Sequence, residues 1–397
     1  MNARTKLDRL LGLAAAAAAT TFCIASPTAA AAAGGAARIP GGAMLEWLTR
    51  APAHPAPETA AEKARGLSAG RALPHPEMLQ PILDPGLPRY VPLPDAAALH
   101  GRFEAAASDV LPDLVRRWIE AFEKIYPAVH IGLAPPYAGS LGAQKLAAGR
   151  LDIAFVSREL RPVDVAAFTA KFGHPPTSVP VCGGTWRHFG FLDAVGVIVN
   201  QANPISRLSL AELDAILSRT HVRGGAPIAT WGRLGLTGAW ARRPIHVYGV
   251  KPWNGFEEFV RQRVLSTPGH RGAWRAGIRY SHTVFPIAAQ VAADPDGIGY
   301  SGLAFLDAPV KLLPLQRRPG EPYFAPTYEN VATAAYPLAR LVYANVDERP
   351  GKALDPALAE FLRFIVSREG QRQVLDQAIY LPLRARQARA SLRLVGR

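Results

Sequence analysis

The chain has 397 residues, of which 49% are apolar and 19% charged; this excludes a wholly disordered or fibrous polypeptide and provides for about two to three globular cores. Its formal charge is +14, a sign that suits an anionic ligand or surface. The basic residues are scattered, with no run of five or more, which argues against a dedicated nucleic-acid arm.

Arg4, Lys6 and Arg9 precede an apolar stretch over residues 10–24 and a run of small residues over 26–33. This three-part layout predicts a secretory signal peptide over residues 1–33, removed on export. The stretch is Ala-rich and short of the roughly 20 residues a membrane span needs. Cys23 follows Thr20, Thr21 and Phe22, not the small-residue box of a lipidated cysteine. Without the signal, Cys182 is the sole cysteine, so no intramolecular disulfide forms and a buried small hydrophobe is expected. Residues 34–96 are dense in Pro, Ala and Gly, which forbids long helices and strands and predicts an extended leader.

From Leu99 onward, strand-like and helix-like segments alternate. A short strand is expected at 102–107. Ser108 and Asp109 then offer N-cap chemistry to a helix carrying Leu111, Leu114, Val115, Trp118, Phe122 and Ile125 at helical spacing. "AVHIGLAP" reads as a strand, "GSLGAQKLAAGR" as a turn opening a second helix, and "LDIAFVS" as a third strand. This βαβαβ rhythm predicts a parallel sheet flanked by helices. "AVGVIVN" reads as a buried strand, and Ser209 with Glu212 as a capping box opening a short helix. Strands are expected at "RRPIHVYGV", "DGIGYSG" and "PLARLVYANV", a helix at "GFEEFVRQRVL", and one or two amphipathic helices at "DPALAEFLRFIVSREGQRQVLDQ".

Four ordered phrases carry a resemblance: "NPISRLSLAELDAIL", "TWGRLGLTGAWARRPIHVYG", "DGIGYSGLAF" and "FLRFIVSREGQRQVLDQAIYLPL". Over about residues 99–383 the chain resembles the phosphate-binding family of periplasmic ABC-transporter substrate-binding proteins. The resemblance implies an α/β, two-lobed type II periplasmic-binding-protein fold with a central ligand cleft and hinge. Lobe 1 would be residues 97–200 plus 334–390, and lobe 2 residues 201–333. It further implies a monomeric periplasmic protein that captures a small oxyanion, phosphate or an organic phosphate, and delivers it to an ABC permease.

Oxyanions bind where unpaired backbone N–H groups converge at helix N-termini, with Ser or Thr hydroxyls, an Arg fork and a proton-accepting carboxylate adding contacts. Three turns offer such groups. Ser108 and Asp109 match the family's first turn, though either could be an ordinary N-cap. Gly139, Ser140 and Leu141 match its Gly-Ser-rich turn, where flanking glycines allow close backbone approach. Asp152, Ser157 and Arg158 match a region that supplies a carboxylate and a polar turn; a surface salt bridge between Arg158 and Glu159 is the plainer account.

The second lobe departs from the family. Where an Arg or Asn and a Ser-Gly-Thr-like turn would follow "IHVYG", this chain has Val250, Lys251, Pro252, Trp253, Asn254 and Gly255. Lys251 and Asn254 remain as a point charge and an amide. Two consequences stay open: a site for a larger or partly aromatic anion, or loss of phosphate binding with a sensory or protein-interaction role in the cell envelope. No HExxH or paired CxxC motif is present, and the histidines show no ligand spacing. A binding protein without cofactor or metal is therefore expected, not an enzyme.

Overall fold

Alternating apolar runs and amphipathic segments build two separate five-stranded sheets in the computed structural model, which describes residues 83–108, 111–135, 139–185, 194–252, 255–306, 308–377 and 380–395. Of Gly139 and Ser140 the backbone alone is described. The expected signal peptide, most of the expected leader, Asp109, Trp253 and Asn254 lie outside the described residues. All described residues fall in one structural unit, Ile39–Arg397. No helix among them is long and apolar enough to cross a membrane.

The first sheet contains β1 (Gly101–Ala107), β2 (Val129–Leu133), β3 (Ile153–Val156), β4 (Thr177–Gly183) and β12 (Leu341–Val346) in the order β2-β1-β3-β12-β4. Strands β2, β1 and β3 run parallel, and β12 lies antiparallel to both β3 and β4. Side chains alternate between faces with the pleat. Ala105, Ala107, Ile153 and Phe155 join the core beneath α1 (Pro112–Glu123), α8 (Pro356–Ile365) and α9 (Arg368–Gln377). Ala106, Ala154 and Val156 point the other way, toward α2 (Gly139–Ala147) and α3 (Pro162–Phe172). Both faces are covered at the centre of the sheet, so β3 and the end of β1 read as continuous apolar runs. Cys182 is fully buried here, and burial pushes its thiol pKa up, as befits an inert hydrophobe.

The second sheet has the order β10-β5-β9-β7-β8, from β5 (Val195–Asn200), β7 (His246–Val250), β8 (Arg279–Ser281), β9 (Gly297–Gly302) and β10 (Val310–Leu312). A small β6 (Leu208–Ser209) to β11 (Leu315–Gln316) ladder sits beside it, with α4 (Leu210–Leu217), α5 (Gly255–Val260), α6 (Ile287–Ala293) and α7 (Tyr328–Ala332). Beyond the last expected segment the chain adds α10 (Ala385–Leu392).

These pairings correct the expected lobe boundaries. Strand β5 pairs with β9 and β10, so the chain crosses to the second lobe between Gly183 and Val195 and not after residue 200. On the return, Tyr336, Leu338 and Ala339 still pack in the second core, and β12 re-enters the first sheet at Leu341. The Tyr336 hydroxyl donates to the Val195 carbonyl at 2.9 Å, tying the two crossovers together.

The described end of the leader is extended, as its prolines require, and docks on the first lobe. Leu87 is buried, the Tyr90 hydroxyl donates to Glu360 at 2.6 Å, and the Tyr90 ring meets Phe364 edge-on. In the second lobe the capping box forms as expected: the Ser209 hydroxyl accepts from Glu212 N at 3.1 Å, and Glu212 accepts from Ser209 N at 2.7 Å. Ser209→Ala is expected to cost about 1 kcal/mol, seen as a lower urea midpoint at unchanged slope.

Candidate ligand cleft

In parallel sheets, ligands bind beyond the carboxyl ends of the strands, where the following helices present their N-termini. In the first lobe that edge gathers Ser108, the start of α2 and Ser157. Ser108 extends β1, its N–H donating to the Phe155 carbonyl at 3.0 Å. Its side chain is 3% exposed, and the hydroxyl has no hydrogen-bond partner among the described residues.

The expectation that Ser108 caps α1 is corrected. The N-cap is Leu111, no side chain caps the helix, and Pro112 occupies its first turn. Ser108 takes part only through its carbonyl, which accepts from Leu111 N at 2.8 Å. A buried orphan hydroxyl therefore lies just ahead of an uncapped helix start, a combination that costs stability unless something else fills it.

Gly139 and Ser140 form the first turn of α2, and the Leu141 side chain is 47% exposed. A Cβ added at Gly142 would meet nothing within 4 Å, so the space over this turn is open. Ser157, half-buried, closes the edge at the end of β3. Asp152 does not join this group. It precedes β3 at the opposite, amino end, about 16 Å down the strand from Ser157, and its carboxylate accepts from Glu104 N at 2.8 Å. This carboxylate braces β1 against β3.

Arg158 and Glu159 are not a surface pair. Arg158, 14% exposed, lies 3.7 Å from the buried Asp164 and donates to the Glu159 carbonyl at 2.8 Å. Burial lowers its pKa against the pull of Asp164, with Glu258 of the second lobe also acting on it. Glu159 instead bridges the lobes: it pairs with Arg263 at 2.5 Å and accepts from the Tyr343 hydroxyl at 2.7 Å.

The second lobe offers a different surface. Lys251 is exposed at the end of β7, and its Nζ lies 3.2 Å from His282 Nε2 at the end of β8. Gly255 opens α5, with open space where its Cβ would be. Glu257 and Glu258 follow in the first turn; Glu257 is fully buried against Arg261 and Trp274, while one Glu258 oxygen is buried without a hydrogen-bond partner. Arg340, from the returning crossover, stacks on Phe256 and Phe259 at 5.0 and 4.3 Å.

Sequence reasoning did not single out Glu258, Thr185 or the Glu159–Arg263 bridge, and it set His282 aside. Thr185, 1% exposed on the outgoing crossover, has another hydroxyl without a partner among the described residues. A strand-end Ser or Thr carried that signal; the interlobe pairings had none, since their partners are remote in sequence. His246, Asp294 and Asp296 lie close enough to surround a cation. Arg279 and Arg243 already neutralise the two carboxylates at 2.9 and 2.6 Å, at the amino end of β7.

Two α/β lobes joined by paired crossovers, with helix starts and strand ends of both facing one interface, define a two-lobed solute-binding fold of type II. A family model described as a PBP superfamily domain matches residues 94–369. The phosphate-binding protein PstS of Pseudomonas aeruginosa is 32% identical over 316 residues, covering 79% of this chain and 92% of that one. Protein SphX of Synechococcus elongatus is 24% identical over 284 residues, covering 70% and 77%. The crystal structure of PstS from Borrelia burgdorferi matches with a TM-score of 0.50 at 16% identity, covering 72% of this chain and 100% of that one. The chain belongs to the PBP superfamily and, within it, to the family of the PstS phosphate-binding proteins.

Proposed function

We propose that the protein is a periplasmic substrate-binding protein that captures phosphate or a related oxyanion between its lobes for ABC-type uptake. The observation that carries this reading is the buried, unpartnered Ser108 hydroxyl ahead of the uncapped start of α1. Backbone donors at the starts of α1 and α2, with Ser140 and Ser157, would complete the first-lobe half of the site. Lys251, Asn254 and the start of α5 would approach from the second lobe, with Arg158 between them. The Pseudomonas aeruginosa relative, a phosphate-binding protein matched over 92% of its length, supports ligand capture over a purely sensory or protein-interaction role. Residues 1–33 would direct export, and an ABC permease would receive the ligand.

Ser108 gives the sharpest test. Removing a buried hydroxyl that has no partner should leave the ligand-free protein as stable as before or slightly more so. The same change removes a donor to the oxyanion. Ser108→Ala is therefore expected to weaken phosphate binding by about 1–2 kcal/mol without lowering the melting temperature of the free protein. Isothermal calorimetry of the mature protein with phosphate and sulfate reads the first effect, and a thermal melt the second. Absence of heat with either anion on the wild-type protein would sink the uptake reading.

A further inference from the structure

A pocket of about 420 Å³ opens between the lobes, bordered by Glu159 and Leu160 of the first and by Gln262 and Arg263 of the second. Its volume falls within the roughly 300–1,000 Å³ of small-molecule sites. Arg223, Arg263, Arg317 and Arg318 line it, and Glu159 is the one acid among its described lining residues. None of Ser108, Ser140, Ser157 or Lys251 contributes to it.

The guanidinium charges are incompletely answered. Arg223 donates to the carbonyls of Val264, Arg263 and Ser266, the last two at 2.7 and 3.1 Å, neutral acceptors that leave its charge to the field of Asp214. Arg317 donates to the Ala334 carbonyl at 2.9 Å. Burial lowers the Arg317 pKa, and the nearby Arg263 and Arg318 lower it further, with Glu321 pulling the other way. Counting Asp214 and Glu321 beside Glu159 still leaves four cations against three anions. Two further lining atoms are buried without partners, one of each kind: the Arg263 Nε donor and the Gln262 Oε1 acceptor. An orphan donor and an orphan acceptor in one cationic pocket match a ligand that has both anionic oxygens and an acidic hydroxyl.

We propose that this pocket is a second anion site, for a multiply charged phosphoryl compound larger than orthophosphate, either a diphosphate or a phosphomonoester. Arg317 and Arg318 hold its charge, Arg263 Nε donates to it, and Gln262 Oε1 accepts a hydrogen bond from its acidic hydroxyl. None of the side chains proposed above to hold phosphate lines this pocket, so the two sites can fail separately.

The test titrates the mature protein calorimetrically with inorganic pyrophosphate, with glycerol 3-phosphate and with phosphate, in wild type, Ser108→Ala and the double variant Arg317→Gln/Arg318→Gln. Pyrophosphate or the ester is expected to bind wild type and Ser108→Ala alike. The double variant should lose roughly tenfold or more of that affinity while keeping wild-type phosphate binding, and a thermal melt confirms that it folds. Gln262→Leu, which alters no charge, should weaken the same ligand as well. If neither compound binds wild type, or if the double variant binds as wild type does, the proposal is overturned. Loss confined to Ser108→Ala would assign the binding to the cleft and overturn it equally.

Discussion

Glu257→Ala is expected to cost the second lobe about 3–5 kcal/mol. The carboxylate is fully buried, accepts from Arg261 Nε at 2.7 Å, and is bonded also by the Arg261 terminal nitrogen and the Trp274 indole N–H. Alanine would leave a guanidinium only 16% exposed, with Glu258 at 3.9 Å as its remaining carboxylate, and an indole N–H without this acceptor. Leaving a buried charge unmatched costs more than the pair itself contributed. Glu257→Gln retains the shape and one acceptor, so its loss should be closer to about 1–3 kcal/mol. Trp274 stacks on Tyr300 with ring centroids 5.7 Å apart, and the Tyr300 hydroxyl oxygen accepts from Val250 N at the end of β7 at 3.2 Å. The same change should therefore loosen the strand end that carries Lys251. Urea unfolding followed by tryptophan fluorescence measures both variants; equal losses for Ala and Gln would mean that the charge is not what matters there.

Local chemistry was legible in the sequence. The Ser209–Glu212 box, the apolar run that became β5 and the helix with Trp118 at its centre all depend on residues a few positions apart, and each formed where expected. Sheet membership was not legible. A run such as Val195–Asn200 is buried on both faces in either lobe, so its composition says that it is covered and not by what. The lobe boundary moved for that reason alone.

The candidate site divides along the same line. Ser108, Ser140 and Ser157 lie at strand ends followed by helix starts, a local signal, and the fold gathers them at one edge. Asp152 precedes the same strand as Ser157, but a strand's two ends face opposite edges of a sheet, so proximity in sequence misled. Glu159 looked like half of a local pair with Arg158; its partner Arg263 lies in the other lobe. The departure after β7 stands in the structure: Lys251 and His282 lie at the strand ends beside the start of α5, whose first turn carries Glu257 and Glu258 where the family has a hydroxyl-rich turn.

Trp118→Ala should have the other large effect, because one side chain holds α1 in place from both its apolar face and its polar tip. The ring is fully buried, packs on Phe155 at 5.8 Å, and donates its indole N–H to the Gly370 carbonyl at 2.8 Å. Truncation opens a large cavity at the meeting of α1, β3 and α9 and strands the carbonyl, for a loss of about 3–5 kcal/mol. Nor can the gap close easily. Gly370 is pinned where a Cβ would come within 2.2 Å of the Phe364 carbonyl oxygen, so α9 has little freedom to move inward. Trp118→Phe keeps much of the apolar volume and loses the hydrogen bond, which predicts a smaller cost of about 1–3 kcal/mol. Since α1 begins just beyond Ser108, the alanine variant should also bind phosphate more weakly even at temperatures where it stays folded. Melting curves with and without phosphate separate the two effects. A ligand-induced rise in melting temperature as large in Trp118→Ala as in wild type would show that the start of α1 does not depend on its core anchor.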